Sequence, residues 1–382
     1  MQAMAHAELV QPAENATPPW WKAMVAFGGL GFVLAVGLVL GGEGGTFAST
    51  GLSFFPLLVL AILLQLHEWP IARVLSWIWF WITMTAFAGT ALALTALSVL
   101  APELPPIERM AEQVTPVALA MFAILVLGAF LAATPLWASL ATRLGARIDR
   151  HSPAHAQGTV GVLLLSGLAI APLVLLGGRA PLTDLLNRID GVVQSLSTAQ
   201  QLLAQVYSVV WIGVLVIFGC GWPVRATFRD TLSRLGLGPM QRRDVALLAG
   251  VTVATVGVGI ALDFLNRGLM GWLGLPMTDP TVVTRLVPAA ATPLGALVIA
   301  ACAGVSEELM FRGWLQPCLG WLLANIGFVA AHAFQYGLDG LVAVFVLGAI
   351  MAFVRWRWNT TASIGVHFAY DAVLFLLSAF GF

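Results

Sequence analysis

The sequence predicts an all-α, polytopic transmembrane helix bundle, and three observations carry that prediction. Of its 382 residues, 59% are apolar and only 9% are charged, against roughly 45–50% and 25% in soluble globular proteins. Mean hydropathy is +0.92. Apolar runs also recur at the length of about 20 residues that a helix needs to cross a hydrocarbon core ~30 Å thick. A soluble enzyme and a disordered chain are excluded. Formal net charge is zero, from 18 basic and 18 acidic residues, so no global field draws in nucleic acid. The three cysteines, Cys220, Cys302 and Cys318, are scattered through apolar sequence and offer neither a disulfide framework nor a zinc knuckle.

In chain order, the candidate spans lie near 23–42, 52–66, 74–100, 116–140, 159–178, 205–222, 245–264, 289–311, 319–335, 340–354 and 359–380. That makes about eleven helices by length and apolarity. Residues 1–22 are polar and lack a basic n-region with a cleavage site behind it, which predicts a retained, cytoplasmic N-terminus. The string Gly41-Gly42-Glu43-Gly44-Gly45 opens no helix beside a strand and reads as a loop, not a phosphate cradle. Residues 181–206 place Leu182, Leu185, Leu186, Ile189, Val193 and Leu196 at helical spacing, an amphipathic helix on the outer surface. Residues 265–288, with Gly268, Gly271, Gly274, Pro276 and Pro280, read as an external loop or shallow hairpin. No repeat relates the two halves, which weighs against an inverted-repeat transporter.

Charge sets the expected orientation, because cytoplasmic loops retain Arg and Lys. Arg143, Arg147 and Arg150 mark one loop; Arg225, Arg229, Arg234, Arg242 and Arg243 mark a second; Arg355 and Arg357 mark a third. The intervening 101–115 loop is acidic, with Glu103, Glu108 and Glu112 against Arg109. An odd number of spans puts every basic loop on one side, the N-terminus in the cytoplasm and the C-terminus outside. The chain divides into a polar N-terminus (1–22), an accessory transmembrane bundle (23–222) and a functional domain (223–382).

The ionisable groups inside apolar spans locate that function. Each costs roughly 2.5–3.5 kcal/mol at mid-helix on the insertion scale. The first seven spans hold almost none, whereas the last hold Glu307, Glu308, Arg312, His332, His367 and Asp371. Glu308 and Arg312 are four apart and pair along one helix face. Glu307 lies about 100° round that helix and is free to face a cavity. His367 and Asp371 share a face of the last span, and His332 stands alone on the helix between. A carboxylate and two imidazoles in a dry cavity form a hydrolytic set. Glu307 would draw a proton from water with help from His332, and His367 would donate to the oxyanion of a scissile carbonyl. The same Glu307, His332 and His367 would equally serve as ligands of a zinc ion whose bound water attacks.

These residues also resemble a family. Glu307-Glu308-Leu-Met-Phe-Arg312 matches EExxxR, Phe328-Val-Ala-Ala-His332 matches FxxxH, and His367-Phe-Ala-Tyr-Asp371 matches HxxxN/D. Three motifs in that order on successive hydrophobic helices resemble the CPBP family of intramembrane proteases. That family includes type II CAAX prenyl endopeptidases and bacteriocin-processing and immunity proteins. The resemblance covers roughly 225–382 and leaves the earlier spans unexplained. It implies that Glu307 activates water with His332, that His367 and residue 371 form the oxyanion site, and that Glu308, Arg312 and Phe328 are structural support. Here residue 371 is Asp, a variant the family pattern allows; an ionised Asp cannot donate to an oxyanion, so it must be protonated or serve to orient His367.

Other motifs fall short. His67-Glu68 opens a zincin pattern, but residue 71 is Ile, so the second ligand is missing. Gly304-Val305-Ser306-Glu307 lacks the closing Gly of a serine-nucleophile motif. Asn359-Thr-Thr fits a glycosylation acceptor but falls on the expected cytoplasmic side. The expected protein is an intramembrane endopeptidase acting on a peptide or lipidated protein within the bilayer. It needs no cofactor unless zinc is used, binds no nucleic acid and has an open oligomeric state. A transporter or proton/cation channel using the buried acids, or a catalytically silent family member that works by binding, are the alternatives.

Overall fold

The computed structural model describes residues 20–99, 107–145, 153–182, 185, 196–279 and 281–380. Residues 1–19, the 100–106 part of the acidic loop, Arg147, Arg150 and most of 183–195 in the expected amphipathic helix lie outside them.

The described residues contain α-helices and no strand. The first four are α1 (Trp20–Leu40), α2 (Gly42–Gln65), α3 (Pro70–Val99) and α4 (Ile107–Ala133). A short α5 (Leu136–Arg143) leads to α6 (Pro153–Leu175) and α7 (Thr198–Gly219). Then come α8 (Phe228–Arg234), α9 (Arg242–Leu273), α10 (Val282–Leu286) and a 3-10 turn at Pro288–Ala291. Next, α11 (Pro293–Glu307) passes without a break through a π-helical stretch, Glu308–Leu315, into α12 (Gln316–Leu319). The chain closes with α13 (Trp321–His332), α14 (Leu338–Arg357) and α15 (Thr360–Ala379).

Among the described residues, ten candidate membrane spans are long and apolar enough to cross a bilayer. They bear out the all-α polytopic fold, and α13 is an eleventh apolar helix too short to count among them. The expected loop at Gly41–Gly45 shrinks to a sharp corner. Gly41 and Gly42 take φ of 64° and 53°, which glycine adopts without a Cβ penalty, and α2 starts at Gly42. The expected loop at 265–288 begins only at Gly274, the left-handed C-cap of the 32-residue α9.

Two packed regions surround the C-terminal helices. In one, Leu34 of α1, Ala48, Leu58 and Ile62 of α2, and Trp211 and Leu215 of α7 form a buried cluster. In the other, Phe80 and Met84 of α3 meet Val160 and Leu164 of α6. From these regions α7 packs on α11 and α6 packs on α13, so contacts run across the expected 222/223 boundary. Facing outward are large apolar side chains such as Phe32, Val39, Phe122, Phe264 and Trp272, a surface that lipid solvates. Among the described residues the most extensive helix–helix contact is α11 with α15. A Cβ at Gly304 would stand 3.0 Å from the Phe368 backbone nitrogen and 3.3 Å from the Ile364 oxygen. Glycine at 304 therefore brings the two backbones together beside Glu307 and His367.

The polar turns gather at two opposite ends. At one, Arg225 pairs with Glu68 at 2.7 Å, Thr360 N–H donates to Gly236 at 3.1 Å, and Gly238 N–H donates to Thr361 at 3.1 Å. Asn359 caps α15 there by accepting from Ala362 N–H at 2.8 Å. At the other end, Tyr207 donates to Glu43 at 3.0 Å, Thr278 donates to Asp339 at 2.7 Å, and Leu182 N–H donates to Phe334 at 2.9 Å.

Candidate active site

Glu307 closes α11 and Glu308 opens the π-helical stretch, a wide turn that is frequent at functional sites. Adjacent residues on a helix point in different directions, and the two carboxylates separate accordingly. Glu308 has a fully buried side chain, while that of Glu307 is 26% exposed. His332 sits at the end of α13, and His367 and Asp371 lie one turn apart on α15. At 1.5 Å rise per residue, Glu307, His332 and His367 stand roughly 10–18 Å from the basic end of their helices, in the middle of a ~30 Å core.

The structure brings these groups together. Glu307 Oε1 lies 3.7 Å from His332 Nε2, and its Oε2 lies 3.8 Å from His367 Nε2. His367 Nδ1 is 2.9 Å from Glu308 Oε1, and its Nε2 is 3.3 Å from Asp371 Oδ2. Glu308 also accepts from Ser363 Oγ and faces Arg312 Nε at 3.5 Å. The Arg312 guanidinium donates to the Gly348 carbonyl at 3.0 Å and lies 4.5 Å over the Phe328 ring. Phe328 in turn meets His332 edge-on at 4.8 Å and His367 at 6.4 Å. One aromatic ring thus spaces the cation from both imidazoles.

Hydrogen bonding orients the two histidines differently. His332 Nδ1 lies 2.8 Å from the Phe328 carbonyl oxygen. A carbonyl only accepts, so Nδ1 carries the proton and the Nε2 of the neutral ring presents a lone pair toward Glu307. His367 has a carboxylate on each side, with Glu308 in hydrogen-bond contact at Nδ1 and Asp371 near Nε2. Glu308 lies against both Arg312 and His367, which limits the cost of burying charge at this point.

The sequence motifs did not single out Ser363, Tyr336, Asn325 or Gly348. Ser363 precedes His367 by four residues and Tyr336 follows His332 by four, so helical spacing was an available signal. Asn325 Nδ2 donates to the Phe345 carbonyl at 2.9 Å and ties α13 to α14. Among the described residues no group of three His, Cys, Asp or Glu is disposed as a metal site. A cavity of about 680 Å³, lined by Trp21, Lys22, Phe218, Trp222 and Arg225 among others, lies apart from the cluster at the basic end. It shares no lining residue with the glutamate–histidine group, so the chemistry is placed by the side chains and not by that cavity.

Fold and cluster together define a multi-pass membrane protein with a glutamate–histidine site at the meeting of three helices. Residues 289–373 match the family model described as Type II CAAX prenyl endopeptidase Rce1-like, which bears out the resemblance read from the motifs. The matched segment contains Glu307, Glu308, Arg312, Phe328, His332, His367 and Asp371. The chain is also similar to the ferredoxin-type protein NapH of Haemophilus influenzae, 27% identical over 110 residues. That stretch is 25% of this chain and 38% of NapH, so the chain spans well under half the length of that relative. Ferredoxin-type clusters are held by four cysteine thiolates, and this chain has three dispersed cysteines. No solved structure matches.

Proposed function

We propose that this protein is an intramembrane endopeptidase, with Glu307 as the general base, acting on a membrane-associated peptide or lipidated protein. A prenylated CAAX-type tail is the substrate class that the matched family points to. The observation that carries the reading is the spacing around Glu307. Its gaps of 3.7 and 3.8 Å to the two imidazoles are too long for direct hydrogen bonds and suit a bridging water.

In this reading the Nε2 lone pair of His332 accepts from that water and aims its oxygen, while Glu307 takes its proton. The water oxygen bonds to the scissile carbonyl carbon, and the π pair moves onto the carbonyl oxygen. His367 donates Nε2–H to the oxyanion, with Glu308 fixing the ring through Nδ1. Collapse breaks the C–N bond, and Glu307 returns the proton to the departing amine. The accessory spans serve substrate access, partner binding or anchoring. The Arg-rich loops mark the cytoplasmic side, which puts the N-terminus there and the C-terminus outside.

The test compares protein N-termini in membranes of cells carrying wild type or Glu307→Ala at matched expression. New N-termini that appear only with wild type are expected; an unchanged set from two folded proteins would sink the reading. Cleavage is expected to persist after exhaustive chelation. Loss on chelation and recovery with zinc would instead make Glu307, His332 and His367 metal ligands.

A further inference from the structure

The chain has three tyrosines, Tyr207, Tyr336 and Tyr370, and two of them stand at the glutamate–histidine cluster. Tyr370 is committed elsewhere, since its hydroxyl lies against α9, where a Cβ on Gly259 would meet it at 2.8 Å. Tyr336 is different. After α13 ends, the N–H groups of Gln335 and Tyr336 both donate to the His332 carbonyl at 3.1 Å. This tight turn folds Tyr336 back over His332, and the two rings stack with centroids 5.8 Å apart and planes 10° from parallel. The turn needs a glycine at 340, because a Cβ there would stand 2.7 Å from the Tyr336 Cβ. Tyr336 thus stacks on the imidazole whose Nε2 lies 3.7 Å from Glu307. Its hydroxyl makes no hydrogen bond with another described residue.

A tetrahedral oxyanion is stabilised by donors placed before it forms. His367 supplies one. Residue 371, the second position of the resembling motif, is Asp, and a carboxylate held 3.3 Å from His367 accepts hydrogen bonds and repels an anion. The site is therefore one donor short, and the phenol stacked on His332 has an O–H that bonds no other described residue. We infer that Tyr336 is a catalytic residue, donating its O–H to the oxyanion where Asp371 cannot. The inference rests on the endopeptidase reading above. No proton is transferred: the phenol hydrogen-bonds the new alkoxide, and the leaving amine still takes its proton from Glu307.

The experiment follows the rate of one Glu307-dependent cleavage in membranes carrying wild type, Tyr336→Phe, Asp371→Asn, the double variant or Glu307→Ala. Phenylalanine keeps the ring on His332 and removes only the hydroxyl. Tyr336→Phe is expected to lower the maximal rate roughly 10²–10³-fold, the usual loss for one oxyanion donor, with half-saturating substrate unchanged. Asp371→Asn adds an amide donor and is expected to recover most of that loss in the Tyr336→Phe background. Wild-type rate in Tyr336→Phe, with Glu307→Ala inactive, overturns the inference while leaving the endopeptidase standing. A loss in folded protein that Asp371→Asn does not recover also overturns it, and makes Tyr336 a packing residue for His332. Absence of any Glu307-dependent product overturns both readings together.

Discussion

Glu307 and Glu308 are chemically identical neighbours whose surroundings separate them. Glu308 is sealed against Arg312, His367 and Ser363, and removing one partner of a buried ion pair leaves the other uncompensated. Glu308→Ala is therefore expected to destabilise the fold by about 3–5 kcal/mol, read as a lowered unfolding midpoint in detergent. Glu307→Gln is expected to abolish cleavage with that midpoint almost unchanged, because its carboxylate makes no direct hydrogen bond that folding relies on. A collapse of Glu307→Gln to the Glu308→Ala midpoint would contradict this division. At this scale the charged members of the cluster were legible, since an intramembrane charge is costly and so conspicuous. Ser363 and Tyr336 were not. A hydroxyl on an apolar helix is inexpensive, and only the tertiary fold shows that Ser363 reaches Glu308.

Between elements, the contact that matters most is the one at Gly304, where α11 and α15 approach backbone to backbone. Gly304→Leu is expected to force α15 outward, at a cost of roughly 1–3 kcal/mol for overpacking. It also carries His367 away from Glu307, and a misplacement of about 1 Å is enough to lose ~10²-fold in rate. Cleavage rate and unfolding midpoint measured together test this; a fully active Gly304→Leu would refute it. The 265–288 segment shows why helix length was underestimated. Gly268 and Gly271 were weighed as breakers, but a helical glycine costs only about 1 kcal/mol. Backbone without water has no partner outside the helix, so α9 runs on to Leu273. Beyond it, Asp279 anchors the turn that follows. Burial works to raise its carboxyl pKa, but hydrogen bonds from Thr281 at 2.8 and 2.7 Å and the pair with Arg285 at 3.1 Å win and hold it below the usual value. A lowered folded-state pKa stabilises above the unfolded value near 4 and loses that contribution as pH falls further. Amide exchange in this turn is expected to accelerate below about pH 4 in wild type, and Asp279→Asn is expected to remove that acid step.

Across the whole molecule, membrane embedding and the all-α class were plain from composition, because nothing else explains so many apolar runs of bilayer length. What composition could not show is how the runs associate. Lipid tails are as apolar as the helices, so hydrophobicity does not choose between neighbours. The contacts that do choose, α6 with α13 and α7 with α11, join parts of the chain that sequence reading kept apart. Residues 223–382 expressed alone are accordingly expected to be inactive, and co-expression with residues 1–222 to restore cleavage. Full activity from the fragment would show that the earlier spans are dispensable. The same contacts bear on how the protein is made. Helix α13 has 12 residues, about 18 Å of helix, too little to be held by the bilayer on its own. The helix it leans on was synthesised roughly 150 residues earlier and is already in the membrane when α13 leaves the ribosome. The N-terminal half therefore acts as the berth into which the His332-bearing helix is delivered, and the order of the chain doubles as its assembly schedule.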